Sequence, residues 1–176
     1  MNPDLIIFRA FNNLSGKSNI LDKFVIFCSE YSGYVYLLIV ALILLRNFKK
    51  NIHTIIEICI SGFLARIVIA EAIRFFFYPD RPFVNFNVNQ LLHHSASGSF
   101  PSGHAIFFFA VSMSIFLWDK KIGVVGLSIS LLIGLSRVLG GIHWPSDILV
   151  GAGLGMITAV IVNKIIKCYL KQKNVQ

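Results

Sequence analysis

Apolar residues in this chain fall in long unbroken runs. Five stretches approach the roughly 20 residues that cross a bilayer's hydrocarbon core: 24–45, 53–78, 102–118, 122–140 and 148–166. The third is the shortest and needs its flanks to complete a span. None alternates with the two-residue period of a barrel strand. Backbone polar groups inside lipid must be paired within their own segment, so runs of this kind are helices. The expected fold is therefore all-α: one domain over 1–176, built as a polytopic transmembrane bundle of about five spans. The bundle is expected over 24–168, with a cytoplasmic tail at 169–176. Ahead of it, Leu5, Ile6, Phe8 and Phe11 alternate with Asp4, Arg9 and Asn12. That imperfect amphipathic stretch predicts an interfacial helix within 1–23. Gly151 and Gly155 stand in small-xxx-small spacing and predict close helix packing. The one long connection, 79–100, is of a length that usually carries function.

Composition supports this picture. Of 176 residues, 56% are apolar and only 14% charged, and the mean hydropathy is +0.74. Soluble domains carry about 25% charged residues, so an ordinary soluble globule is excluded, as is a disordered chain. The net charge of +8 would by itself suit a nucleic-acid partner; the hydropathy argues against one. Its distribution has another meaning. Arg46, Lys49, Lys50, Lys120, Lys121, Lys164, Lys167, Lys171 and Lys173 all fall at one end of an alternating five-span bundle. Asp119 is the one acid assigned to that end, which thus holds the whole excess. By the positive-inside rule that end is cytoplasmic. Cys28, Cys59 and Cys168 form neither a disulfide framework nor a zinc pattern.

The opposite end gathers the chemistry. The second span closes on Arg74, then Arg81-Pro82. The third opens with Pro101-Ser102-Gly103-His104. The fourth ends in Ser136-Arg137, and His143 and Asp147 lead into the fifth. Ionisable groups at matching depth on several spans mark a functional site. Three arginine forks suit the oxygens of a polyanionic phosphate group. Proline in the first turn and a serine cap start a helix whose free amides attract anions, and Gly103 lets the backbone come close. His143 and Asp147 are four residues apart and share a helix face. Asp147 is then able to orient His143 as nucleophile or base, with His104 a separate general acid. The same two histidines and aspartate also compose a zinc-ligand set, and Ser102 is a second nucleophile candidate. Arg66 and Glu71 are expected to pair inside the bundle, and Glu30 to lie near the outer end of span one, either approaching the site or facing water; His93 and His94 either line the entrance or are solvated loop residues. Trp118 and Trp144 fit interfacial anchors, and Trp144, beside His143, is alternatively a wall of the pocket.

The spaced set Arg74, Arg81-Pro82, Pro101-Ser102-Gly103-His104, Ser136-Arg137, His143 and Asp147 resembles the three-part signature of the type 2 phosphatidic acid phosphatase superfamily. It covers 74–147. The family's first motif normally begins with Lys, where this chain has Arg74. The resemblance implies His143 as nucleophile, Asp147 orienting it, and His104 as acid and then base. Arg74, Arg81, Pro82, Ser102, Gly103 and Arg137 would form the phosphate-binding set, and no metal or other cofactor is implied. The N-terminal stretch 8–21 and the loop through Phe83, Leu91, His93 and 95–100 are similar to bacterial undecaprenyl-diphosphate phosphatases of the bacitracin-resistance type. That branch implies a C55 isoprenoid diphosphate substrate, cleaved outside the plasma membrane to recycle the cell-wall carrier. The implied partners are this lipid phosphate and the surrounding membrane lipids.

Overall fold

The computed structural model describes residues 2–173, all of whose regular structure is helical. Helix α1 (Pro3–Asn12) precedes α2 (Asn19–Glu30) and α3 (Ser32–Leu45). Helix α4 (Phe48–Phe63) runs through a π-helical turn (Leu64–Ile69) into α5 (Ala70–Phe76). A short α6 (Pro82–Asn85) interrupts the long connection, followed by α7 (Gly103–Trp118), α8 (Lys120–Leu139) and α9 (Pro145–Lys173). Local sequence sets several of these starts. The Asn2 side chain accepts from the Asp4 amide with Pro3 in the first turn. Asp119 makes the tight turn between α7 and α8 by accepting from the Ile122 amide at 3.0 Å.

The about five expected spans are not all of full length. Three helices are long and apolar enough to cross a membrane: Phe48–Phe76, Lys120–Leu139 and Pro145–Lys173. Helices α2 and α3 make a fourth when counted together, bent by 48° at Tyr31. Helix α7 has 16 residues, about 24 Å at 1.5 Å per residue, short of the hydrocarbon thickness. The reason is its place in the bundle. It is apolar all round, as a central helix is, and ten of its residues are buried. Longer helices wrap it, and lipid meets their outer faces: Leu38, Leu42, Ile67, Leu149 and Ile157 are all exposed. The expected tail at 169–176 is helical as far as it is described. Residues 169–173 continue α9, while 174–176 lie outside the described residues.

Helix α1 docks onto the bundle. Asn12 Nδ2 donates to the carbonyls of Asn89 and Leu139, each at 2.9 Å. Asp4 accepts from the amide and hydroxyl of Ser146, at 3.0 and 2.6 Å. Phe8 is buried against Trp144, with ring centroids 5.3 Å apart.

Polar side chains inside the bundle find one another across helices, as the membrane interior demands. Tyr36, Ser112 and Ser130 form a hydroxyl chain at 2.7 and 2.8 Å joining α3, α7 and α8. Ser114 donates to Ser61 at 3.1 Å. Glu57 accepts from Asn163 at 2.7 Å, a buried α4–α9 link that sequence reading did not single out.

Helices α7 and α9 approach each other closely. A Cβ added at Gly155 would lie 2.3 Å from the Ile106 carbonyl oxygen and 2.9 Å from the Ala110 amide nitrogen. One at Gly151 would lie 3.1 Å from the Ser102 carbonyl oxygen. Gly153, between them, has nothing within 4 Å. The small-residue spacing is thus a packing device, and the obstacles are backbone atoms that cannot swing away. Gly155→Ala should lower stability by about 1–3 kcal/mol, the usual cost of overpacking. Gly153→Ala should be neutral or stabilising by up to about 1 kcal/mol through helix propensity. Thermal unfolding of the two variants in the same detergent checks the contrast.

Candidate active site

Four helix ends meet at the face opposite the basic residues, and His143 sits at their centre. It lies in the turn between α8 and α9, 2% exposed. Gly141, with φ +83°, makes that turn. His143 Nδ1 is 3.1 Å from Asp147 Oδ2, which also accepts from the Trp144 amide at 2.8 Å. His143 Nε2 is 3.3 Å from an Arg81 guanidinium nitrogen. Arginine only donates, so Nε2 accepts. The hydrogen-bond pattern therefore assigns the ring proton to Nδ1, facing Asp147, and the lone pair to Nε2.

Charge and burial agree with that assignment. His143 is pushed well below the ordinary imidazole pKa, first by burial and then by the positive charges of Arg81 and Arg137. A neutral ring with its lone pair on Nε2 is the form that attacks an electrophile. Arg81 is lowered to about 10, mainly by burial, with Asp147 opposing the shift, so it stays charged at neutral pH.

Arg81 is the most tightly held of the cations, and carbonyls hold it. Its Nε donates to Ser97 O at 3.0 Å. Its terminal nitrogens donate to Ile142 O at 2.8 Å and Gly98 O at 3.3 Å. Ser99 is buried beside them, and its amide donates to Pro79 O at 2.9 Å. Sequence reading missed 97–98 as a grip on Arg81. The only signal was the run of Ser and Gly in a long loop. Pro82 is buried at the start of α6, where it sets the direction of chain leaving Arg81 without offering a donor.

Helix α7 enters from the other side. Ser102 caps it, its Oγ accepting from the Ala105 amide at 3.5 Å, and its own amide donates to Asp147 O at 3.2 Å. The hydroxyl is committed to the cap. The first amides of a helix have no partner within it, so Gly103 and His104 open the N-terminus toward the site. His104 lies within electrostatic reach of His143, Arg137 and Arg66. Arg137, from the end of α8, is buried, and its Nη1 bonds to the Ser29 hydroxyl at 3.1 Å. Arg74 donates to Glu71 at 2.8 Å and to Pro101 O at 2.9 Å. Among the described residues, the buried Nε groups of Arg74 and Arg137 have no hydrogen-bond partner. Unpaired buried donors are costly, and an anion in this space would satisfy them.

All nine sequence-selected residues therefore converge at one end of the bundle. The expected Arg66–Glu71 pair also forms, but in a different setting. It is half-exposed rather than interior, and Glu71 bridges Arg66 to Arg74. His93 and His94 are exposed, although the charge of His94 reaches His143. Glu30 lines a cavity of about 240 Å³ with Ser29, Arg66, Gly103 and His104. Trp144 does more than anchor. Its indole N–H donates to Asp80 O at 2.9 Å, and Phe8 and Phe86 pack on its ring.

A helical membrane bundle with a buried histidine–aspartate pair amid several arginines is a site for phosphoryl chemistry on an amphiphile. Comparison with known proteins agrees. The model of the PAP2 superfamily matches residues 55–169. The chain is 33% identical to the bacitracin transport permease protein BcrC of Bacillus licheniformis, over 88% of this chain and 76% of that one. It is 34% identical to undecaprenyl-diphosphatase BcrC of Bacillus subtilis, over 81% and 74%. The crystal structure of Aquifex aeolicus LpxE superposes with a TM-score of 0.77 at 28% identity, covering 93% of this chain and 96% of that one. The chain belongs to the PAP2 superfamily and is a multi-pass membrane lipid phosphatase.

Gly103 offers a direct test of the anion site. A Cβ there would lie 2.7 Å from Arg66 Nε and 3.1 Å from an Arg74 terminal nitrogen. These are the ends of flexible side chains, so the fold should tolerate Gly103→Ala while the arginines shift. The inhibition constant for orthovanadate should rise about tenfold or more, the loss of one charged hydrogen bond, with Tm unchanged.

Proposed function

We propose that this enzyme hydrolyses undecaprenyl diphosphate to undecaprenyl phosphate and inorganic phosphate through a phosphohistidine. On this reading it works in a bacterial plasma membrane, with its site on the outer face. One observation carries the chemistry: His143 presents the Nε2 lone pair toward Arg81 while Nδ1 is held by Asp147. The similarity to proteins named undecaprenyl-diphosphatase supports the substrate. The basic residues at the opposite end of the bundle support the orientation.

In the first step His143 Nε2 attacks the terminal phosphorus. A P–N bond forms, and the bond to the bridging oxygen breaks. His104 gives its proton to that oxygen, and a bound phosphate dianion beside it favours the protonated ring. Asp147 stabilises the positive charge that develops on the His143 ring. Arg81, Arg137, Arg74 and the Gly103 amide face the charge developing on the equatorial oxygens, which is usually the largest catalytic contribution. In the second step His104 takes a proton from water, and the resulting hydroxide attacks phosphorus. The P–N bond breaks, phosphate leaves, and the lone pair returns to Nε2. The cycle closes on the residues alone.

His143→Ala should abolish phosphate release, and rapid acid quench of wild-type turnover should destroy a labelled intermediate that alkaline quench preserves. An acid-stable phosphoenzyme would instead favour Ser102. The pH profile gives a separate check. Protonation of Nε2 removes the nucleophile, and burial holds its pKa down. The acid limb of kcat/KM assigned to His143 should therefore lie below the ordinary imidazole value of about 6.5. For the substrate, purified enzyme should prefer the isoprenoid diphosphate over a lipid monophosphate such as phosphatidylglycerophosphate. The reverse preference would sink the substrate reading.

A further inference from the structure

A diphosphate substrate brings two phosphates into the site, and the residues described so far account for only the terminal one. We propose that Arg66 binds the second phosphate, the one that leaves with the lipid, and so selects diphosphates over monophosphates. This inference rests on the substrate reading above and deepens it.

The backbone explains how Arg66 gets there. At 100° per residue, positions 66 and 71 would point about 140° apart on a regular α-helix. The π-helical turn Leu64–Ile69 lies between α4 and α5. Its longer repeat brings residues five apart onto one face. Arg66 Nη1 bonds to Glu71 Oε1, and Glu71 in turn bonds to Arg74, three residues further on. The carboxylate thus holds two guanidinium groups side by side. Both lie over Gly103, where the Arg66 Nε and Cζ would be 2.7 and 3.0 Å from an added Cβ.

Position then separates the roles of the two arginines. Arg74 turns inward to Pro101 O. Arg66 lines the 240 Å³ cavity with His104, Ser29 and Glu30. Tyr34, Leu37 and Phe107 form the apolar remainder of that wall. In the mechanism His104 protonates the leaving oxygen, so the leaving group lies on the His104 side. For a diphosphate, that oxygen belongs to the lipid phosphate. Arg66 is the arginine that lines this cavity, and its charge, like that of Arg137, is within reach of His104. Its side chain is about one-third exposed (36%) to the space it would share with the ligand. A guanidinium here meets two oxygens of the departing phosphate at once. It stabilises the negative charge that grows as the bridging bond breaks. A lipid monophosphate leaves as an alcohol and offers Arg66 no such group.

The test compares Arg66→Ala, Arg66→Lys and wild type on a diphosphate and a monophosphate that carry the same isoprenoid tail, in the same detergent. The readout is the ratio of kcat/KM for the two substrates. Arg66→Ala should lower the diphosphate-to-monophosphate ratio by about 10- to 100-fold, the effect of losing a hydrogen-bonded charge. Arg66→Lys keeps the charge without the fork, so its ratio should fall by less. It also serves as the folded variant if Arg66→Ala does not fold. A ratio unchanged in both variants, with wild type preferring the diphosphate, would overturn the role of Arg66 and leave the substrate reading standing. A wild-type preference for the monophosphate would overturn both.

Discussion

The site depends on how closely two helix backbones can approach. Helix α9 lies against α7 at Gly151 and Gly155, where Ile106, Ala110 and the Ser102 carbonyl leave no room for a side chain. That contact sets the register of the two helices. It puts the first turn of α7 beside the first turn of α9, so that the Ser102 amide reaches the Asp147 carbonyl at 3.2 Å. Without hydrophobic driving force between helices in lipid, such backbone fit and interhelical hydrogen bonds must do the holding. The hydroxyl chain Tyr36–Ser112–Ser130 and the Glu57–Asn163 pair fix the remaining helices around α7 in the same way.

On that frame the electrostatics follow. Arg66, Arg74, Arg81 and Arg137 share one end of the bundle, and their mutual repulsion has to be met. Backbone carbonyls of 97, 98 and 142 absorb Arg81, Ser29 absorbs Arg137, and Glu71 divides itself between Arg66 and Arg74. Neutral partners leave the positive potential largely intact for a phosphate, where a full set of carboxylates would cancel it. Asp147 is aimed at His143, and there it acts on the ring. Burial, reinforced by the same positive surroundings, keeps His143 unprotonated. The field that draws in the substrate therefore also helps to keep the nucleophile ready.

Much of this was legible along the chain. Long apolar runs separated by polar turns implied helices, and alternation of their ends put Arg74, Arg81, His104, Arg137, His143 and Asp147 at a common depth. The i, i+4 spacing of His143 and Asp147 already implied one face. Other parts were hidden. The carbonyl grip of 97, 98 and 142 on Arg81 uses backbone atoms, which every residue type carries. The Ser29 contact of Arg137 joins positions 108 apart. Helix α7 read as a short span, and its length made sense only once it was seen as the centre of the bundle. The Arg66–Glu71 pair was anticipated, but not its half-exposed setting or the π turn that aligns its two residues.

The sequence alone determined the class of fold, the end of the bundle where chemistry collects, and the residue types that meet there. It could do so because hydrophobic run length and helix-end alternation are one-dimensional properties. The tertiary structure decided the His143 tautomer, the partners of each arginine, the docking of α1 beneath Trp144 and the side of the site that Arg66 faces. Those depend on distances of a few ångströms between segments remote in sequence. Packing, and one irregular helical turn, set them.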